Sequence, residues 1–305
     1  MVPLAPGFLR GSYPPLVTPF TQGRVDLEAY AGLVEFHIQG GSHGIVVCGT
    51  TGEPTTLTVD ERKALAETAV AASAGRLPVV VASGSQSHAE SVELTEHAAR
   101  AGADAVLVLT PYFLRPPPRG LVAYFVDLAA RVDLPFLVYH IPGRAAVELS
   151  VGTMVELAAA APNFVGAKHA ANDLGWVSEA VIHLGPEFRV LCGLEELTFP
   201  MLAVGASGMV NAVANLVPGR IGALYRAAAE GRAEEARRLH FELLELNRSI
   251  FLETNPIPLK YMMRRIGLLR TNEHRLPMVA ASPELEKRLD RVLTGAGLLG
   301  PEDDG

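Results

Sequence analysis

Cysteine is nearly absent from this 305-residue sequence, which contains only Cys48 and Cys192. Two cysteines exclude a disulfide-stapled scaffold, and no zinc-binding spacing is present. Each ends an apolar run, so we expect two buried, reduced thiols. Long hydrophobic stretches are also missing, since none approaches the ~18 residues of a membrane-spanning helix. Residues 1–15 lack a basic region followed by an apolar core, so we expect no signal peptide and a cytoplasmic protein.

Basic charge is scarce as well. The formal net charge is −7 and the pI is about 5.7, which argues against nucleic acid or an anionic membrane as a partner. Lysine is the rarer basic residue: four of the 26 basic residues are Lys, which leaves 22 Arg. No phosphate-binding glycine motif occurs, so we expect no nucleotide or pyridoxal phosphate cofactor.

What the sequence does contain is a repeated succession of apolar runs and helical segments. The runs are continuous in Val, Ile and Leu, which is typical of parallel strands covered on both faces. They span residues 16–18, 44–48, 78–82, 105–109, 135–139, 164–168, 189–192 and 208–213. Eight β/α units in a row predict an α/β fold, the TIM (β/α)8 barrel. A doubly wound open sheet is the alternative, which the lack of a Gly-rich dinucleotide motif disfavours.

Helix signals divide the chain further. Asp26 is placed to cap a helix, and Thr58 with Glu61 forms a capping box. After the eighth run the sequence becomes entirely helical in pattern. The predicted helices there are 218–230, 232–253, 256–268 and 283–299. We therefore predict a barrel over residues 1–230 and a C-terminal helical extension over residues 231–305 that does not fold by itself.

Polar residues follow the predicted strands at their C-terminal ends, where TIM barrels carry their active sites. Hydroxyls, glycines and one amine thus converge on one mouth of the barrel. These strand-end residues are Gly49–Glu53, Ser83–Gly84, Thr110–Tyr112, Tyr139–His140, Lys168–His169, Gly193 and Asn211.

Lys168 is the most informative of them. Regular alternation along the strand puts Phe164, Gly166 and Lys168 on one face. If that face is the barrel interior, apolar surroundings favour the neutral amine, which can attack a carbonyl and form a Schiff base. The alternative is a strand-end lysine that reaches solvent. The scarcity of lysine and the nearby hydroxyls favour catalysis. Lys63, Lys260 and Lys287 lie beside charged residues, so we expect them on solvated helix faces.

Three further groups are candidates beside Lys168. Tyr139 can move protons on and off a carbinolamine oxygen, although a strand-end tyrosine is also a common packing residue. Successive backbone N–H groups at Thr50 and Thr51 can hold a carboxylate, although an ordinary βα turn explains the same residues. Arg144 is suited to bidentate carboxylate binding, unless it is simply a surface arginine.

The sequence offers little for a metal. His140 and His169 directly follow the inward candidates, so alternation points them away from the barrel interior. No His-Glu-x-x-His or comparable spacing accompanies them, and we expect no catalytic metal. We expect Asp104 and Glu195 to act as caps rather than as general acids.

Six motifs in this order resemble a known family. From Gly11 to Leu299 the chain resembles the dihydrodipicolinate synthase / N-acetylneuraminate lyase family of pyruvate-dependent class I aldolases. The motifs are Val17–Phe20, Gly49–Glu53, Thr110–Tyr112, Tyr139–Pro142, Gly166–Lys168 and Asn255–Pro258.

The resemblance implies a (β/α)8 barrel with C-terminal helices, a homotetramer or homodimer, and a small 2-oxo acid substrate without a cofactor. It implies that Lys168 forms the Schiff base, that Tyr139 donates and accepts protons, and that Thr50 is its relay partner. Thr51 would hold the substrate carboxylate.

The remaining predicted site residues also rest on the resemblance. Val210 and Gly193 would line the carboxylate pocket, and Tyr112 would line the substrate site. Arg144 matches an arginine that binds the carboxylate of the aldehyde partner in the synthase branch, and sialic acid lyases typically lack it.

Three residues depart from the family pattern. Phe113 replaces a second tyrosine of the hydroxyl relay, His140 replaces an asparagine, and His169 replaces an acidic residue. Three hypotheses follow: a synthase that condenses pyruvate with an aldehyde, an aldolase or dehydratase of 2-oxo-3-deoxy sugar acids, and a non-catalytic 2-oxo acid binder.

Overall fold

The computed structural model describes residues 1–300. Its strands are β1 (Gly11–Ser12), β2 (Phe20–Thr21), β3 (Arg24–Val25), β4 (Ile45–Val47), β5 (Val79–Ala82), β6 (Ala105–Leu109), β7 (Phe136–His140), β8 (Phe164–His169), β9 (Arg189–Cys192) and β10 (Gly208–Met209). Its α-helices are α1 (Leu27–Gln39), α2 (Val59–Ser73), α3 (His88–Ala101), α4 (Pro118–Ala129), α5 (Pro142–Ala145), α6 (Val151–Ala160), α7 (Leu174–Leu184), α8 (Thr198–Ala203), α9 (Pro218–Ala229), α10 (Ala233–Ser249), α11 (Ile257–Arg265) and α12 (Pro283–Gly295).

Eight of the strands form one parallel sheet in the order β1-β10-β9-β8-β7-β6-β5-β4. A parallel bridge between Pro15 and Val46 joins the two ends of that order. The sheet is therefore a closed barrel, which confirms the predicted TIM fold and shows that the open-sheet alternative is wrong. Strands β2 and β3 form a separate antiparallel hairpin.

The first barrel strand begins earlier than predicted. Pairing to β10 starts at Gly11–Ser12, ahead of the predicted segment 16–18. The N–H of Tyr13 then donates to Met209, whereas the N–H of Leu16 donates to Val46 on the other side. Proline has no N–H to donate, so the Pro14–Pro15 pair interrupts the ladder where the chain changes neighbours.

The predicted helix caps at Asp26 and Thr58 are confirmed. The carboxylate of Asp26 accepts from the N–H of Ala29 at 2.9 Å. Thr58 and Glu61 form the predicted capping box, each side chain accepting from the other residue's N–H. Such caps satisfy donors that have no partner within the helix.

Apolar side chains form one layer inside the barrel and a second layer between the strands and the helices. A bulge in β8 determines which residues of this strand face each layer. Phe136 pairs with Phe164, but the next residue, Leu137, pairs with Gly166, so Val165 is an extra residue. Phe164 packs outward against Phe188, at 5.1 Å between ring centroids, and Val165 joins the barrel interior. The prediction that Phe164 shares one face with Gly166 and Lys168 is therefore wrong, because the bulge shifts the alternation by one residue after Phe164.

The C-terminal extension begins after α9 and contains α10 to α12. The predicted boundary at residue 230 stays a prediction, and residues 301–305 of the predicted extension lie outside the described residues. The prediction that the other lysines lie on solvated helix faces is wrong for Lys260, which is completely buried. Its ammonium pairs with the carboxylate of Glu53 at 2.9 Å, which compensates the cost of burying both charges.

Candidate active site

Adjacent strands bring Lys168 and Tyr139 together. The two residues are register partners on β8 and β7. Lys168 Nζ lies 4.0 Å from the centroid of the Tyr139 ring, and the side chains are 4% and 5% exposed. The amine thus lies inside the barrel mouth beside a phenol, where the sequence predicted it.

Glycine makes room for the lysine side chain. A Cβ added at Gly193 would lie 2.9 Å from Lys168 Cε and 2.8 Å from the Cβ of Ala170. Within the wall, a Cβ at Gly166 would lie 2.4 Å from the carbonyl oxygen of Arg189. These distances are far shorter than ordinary carbon contacts, so larger residues at Gly193 would push the amine away from Tyr139.

The turn after β4 supplies the two hydroxyls. Residues Thr50–Gly52 form a single 3-10 turn, and Thr50 Oγ1 lies 3.3 Å from the Tyr139 hydroxyl, within hydrogen-bonding distance. Thr51 Oγ1 accepts a hydrogen bond from Asn255 Nδ2 at 2.9 Å. Asn255 comes from the C-terminal extension and was not predicted as a site residue.

A cavity of roughly 240 Å³ contains seven of the eight predicted site residues. It is lined by Thr50, Thr51, Tyr139, Arg144, Lys168, Gly193 and Val210. Tyr112 lies in an adjoining cavity, which shares Thr50 and Arg144 with the first. Phe113 projects into solvent with 88% of its surface exposed. Among these groups Arg144 is exposed at the rim, where its guanidinium can meet an incoming anion.

Glu195 is a buried carboxylate in the same cavity, and only a capping role was predicted for it. One oxygen does cap the short 3-10 helix Ala212–Asn215, since it accepts from the N–H of Ala212 at 2.7 Å. The other, Oε2, has no hydrogen-bond partner among the described residues. Burial raises the pKa of Glu195 to about 7, because desolvation disfavours the carboxylate.

His140 and His169 face the opposite side of the wall, as alternation predicted. Their Nδ1 atoms lie 3.1 Å apart, and both rings stack on Trp176. Burial lowers the pKa of each histidine to about 4, so both rings are neutral at pH 7. Within residues 1–300, no group of three His, Cys, Asp or Glu side chains is arranged to hold a metal ion.

The fold and the site together define a lyase of the class I aldolase type. The family model described as "Dihydrodipicolinate synthetase family" matches residues 8–296. This chain belongs to that family.

Individual relatives agree with this assignment. The chain is 46% identical over 296 residues to a 4-hydroxy-tetrahydrodipicolinate synthase of Thermus thermophilus, and the match covers 97% of this chain and 99% of the relative. The crystal structure of dihydrodipicolinate synthase from Aquifex aeolicus superposes with a TM-score of 0.93 at 43% identity, covering 95% and 98% of the chains. A monomeric dihydrodipicolinate synthase variant of known structure gives a TM-score of 0.93 at 35% identity, covering 96% and 99%.

Proposed function

We propose that the protein is a 4-hydroxy-tetrahydrodipicolinate synthase, which condenses pyruvate with aspartate semialdehyde. One juxtaposition carries the proposal: a buried lysine amine, a phenol and a threonine hydroxyl meet in one cavity, with a guanidinium at its rim. The names of the relatives described above support the same reaction.

The chemistry begins with addition of the Lys168 amine to the keto carbon of pyruvate. Loss of water gives a protonated imine, whose nitrogen withdraws electrons as the methyl carbon gives up a proton. The resulting enamine carbon attacks the aldehyde carbon, a C–C bond forms, and the aldehyde oxygen takes up a proton. The amino group of the condensed partner then attacks the imine carbon, which closes the ring and releases Lys168.

Each proton transfer needs a carrier near the amine. Tyr139 is in contact with Lys168, and Thr50 is within hydrogen-bonding distance of the Tyr139 hydroxyl. A positioned acid–base pair of this kind passes protons between the carbinolamine oxygen and the solvent side of the cavity. Thr51, Val210 and Gly193 then surround the pyruvate carboxylate, and Arg144 binds the carboxylate of the aldehyde partner.

Borohydride trapping tests the first step. Incubation with pyruvate and borohydride is expected to add one reduced pyruvyl group to the intact protein, with peptide mapping placing it on Lys168. A Lys168→Met variant should remain unmodified, and Lys63→Met, which changes a lysine on helix α2 outside the cavity, should label like the parent. If the parent gains no mass, the Schiff-base chemistry is wrong. Turnover of aspartate semialdehyde with pyruvate then tests the partner.

Aldol cleavage or dehydration of 2-oxo-3-deoxy sugar acids is the second candidate. Glu195 favours it, because this residue lines the substrate cavity and its buried Oε2 has no hydrogen-bond partner among the described residues. A small shift of this oxygen toward the cavity would let it accept a hydrogen bond from a substrate hydroxyl. Pyruvate release from a sugar-acid panel, with no condensation of aspartate semialdehyde, would replace the first proposal by this one.

Assembly and location stay predictions. We propose a homodimer or homotetramer, which is supported by the exposed apolar pair Phe113 and Leu114, next in the chain to the cavity residue Tyr112. Sedimentation of the purified protein tests the subunit number. Across residues 1–300, no helix combines the length and apolarity that crossing a bilayer requires. The cytoplasmic location proposed from the sequence awaits localisation of the tagged protein.

A further inference from the structure

Glu53 closes the turn that carries the two site threonines. Its N–H donates to the carbonyl oxygen of Thr50 at 3.1 Å, and its backbone adopts a left-handed conformation with φ of 55°. A non-glycine residue takes up that conformation only where the surroundings hold it there. The side chain is 3% exposed, so its carboxylate must be satisfied inside the protein.

Two residues of the C-terminal extension satisfy the Glu53 carboxylate. Lys260 Nζ lies 2.9 Å from Oε1, and His274 Nδ1 lies 3.0 Å from Oε2. Side-chain exposure is 0% for Lys260 and 1% for His274. Burial lowers the pKa of Lys260, and the charge of Glu53 opposes that shift. The two buried charges therefore depend on each other.

The Lys260 ammonium also contacts the turn indirectly, through Thr18. Lys260 Nζ donates to the carbonyl oxygen of Thr18 at 3.0 Å, and the hydroxyl of Thr18 donates to the carbonyl oxygen of Gly52 at 2.7 Å. Lys260 also donates to the carbonyl of Glu273. Buried charges find few alternative partners, so this cluster fixes the turn in one arrangement.

We propose that Lys260 and Glu53 are positioning residues that keep the Thr50 hydroxyl within reach of Tyr139 and thereby set the rate of the chemical step. The proposal rests on the proposed function, since it assigns proton transfer to Thr50 and Tyr139. Thr50 and Glu53 belong to one turn, so a shifted Glu53 lengthens the 3.3 Å contact between Thr50 and Tyr139. Misplacement of a catalytic group by about 1 Å can cost a hundredfold in rate.

The test is a cycle of variants in the full chain. Glu53→Gln combined with Lys260→Met removes both charges and leaves neither unpaired. We expect circular dichroism to show a folded protein and kcat for condensation to fall about 10- to 100-fold. Adding Thr50→Val should then cost little further, although Thr50→Val alone in the parent costs much of its kcat. This non-additivity is a readout that a merely structural role would not give.

A milder pair of variants covers the case in which the double variant does not fold. His274→Leu removes one donor to Glu53, and His274→Gln restores an amide donor. We expect kcat to fall with leucine and to recover with glutamine. Lys63→Met combined with Glu93→Gln removes an ion pair between the outer helices α2 and α3 and should leave kcat unchanged.

Two outcomes overturn the positioning role. One is a folded double variant with kcat within about twofold of the parent; the other is a cost of Thr50→Val that is equal in both backgrounds. If the double variant does not fold, equal kcat for His274→Leu and the parent overturns it. Each of these outcomes is measured against a parent protein that traps pyruvate and catalyses the condensation. If the parent does neither, the proposed function is wrong, and the positioning role is not what the result contradicts.

Discussion

Tyr139 and Lys168 occupy paired positions on neighbouring parallel strands, with the Lys168 nitrogen 4.0 Å from the Tyr139 ring centroid. Neighbouring strands lie about 4.8 Å apart, so the barrel wall itself sets the spacing between the proposed nucleophile and the proposed proton carrier. Functional groups on strands are held more precisely than groups on loops. The hydroxyl partner, by contrast, comes from a turn and depends on the contacts of that turn.

Replacing Tyr139 by phenylalanine keeps the ring against Lys168 and removes only the hydroxyl that contacts Thr50. We expect kcat to fall by about 10²- to 10⁴-fold, the usual contribution of general acid–base catalysis. Steady-state kinetics and the rate of borohydride trapping measure the loss. Tyr225→Phe, on α9, is the matched control. A Tyr139→Phe variant with the parent's kcat would show that another group moves the proton.

Replacing Gly193 by alanine places a methyl group 2.9 Å from Lys168 Cε. The lysine chain must then move, and we expect adduct formation with pyruvate to slow by about tenfold or more. Mass spectrometry of timed borohydride quenches gives the rate. Gly32→Ala, where an added Cβ meets nothing within 4 Å, should label at the parent rate. Equal labelling of both variants would contradict the crowding at Gly193.

Removing the Arg144 guanidinium should change the KM of one substrate and leave that of the other unchanged. We expect Arg144→Ala to raise the KM for aspartate semialdehyde by about 10- to 100-fold, as loss of charged hydrogen bonds does. The KM for pyruvate should stay close to the parent value. Arg144→Lys should restore little, because an ammonium lacks the planar fork. A rise confined to pyruvate would place Arg144 at the other carboxylate.

Glu195 predicts a pH dependence of stability. Its pKa in the folded protein is about 7, above the ordinary value of about 4.3, so the folded state binds the extra proton. The resulting contribution to the free energy of unfolding is fully present below about pH 4 and is lost as the pH rises to 7. Glu195→Gln should therefore gain stability relative to the parent over this range, by roughly 3 kcal/mol. Denaturant unfolding at pH 5 and pH 8 measures it, and a pH-independent difference would refute the assigned titration.

The sequence was sufficient for the barrel because eight apolar runs and local caps such as Asp26 and Thr58 each act over a few residues. Lys168 was found through the rarity of lysine together with its place at a strand end. The bulge at Val165 could not be predicted, because both sides of the strand are apolar. Two successive apolar residues such as Phe164 and Val165 fit a bulged strand and a regular strand equally well.

Residues that depend on distant partners escaped the sequence analysis. Asn255 contacts Thr51 across 204 residues, and Lys260 meets Glu53 across 207. No local pattern distinguishes a buried lysine on a helix from a solvated one when its partner carboxylate lies in another part of the chain. The GTTGE turn and the NPIP segment each looked like separate motifs, although the fold joins them.

The extra residue at Val165 has a consequence for how this strand can change in evolution. Counted from Phe164, an unbulged strand would direct the lysine toward the helices instead of the cavity. Deleting Val165, in contrast, would leave Phe164 outward and both Gly166 and Lys168 inward in regular alternation, so the amine would still face Tyr139. This strand can therefore gain or lose the one residue without moving the lysine out of the cavity, provided that the added residue is accommodated as a bulge.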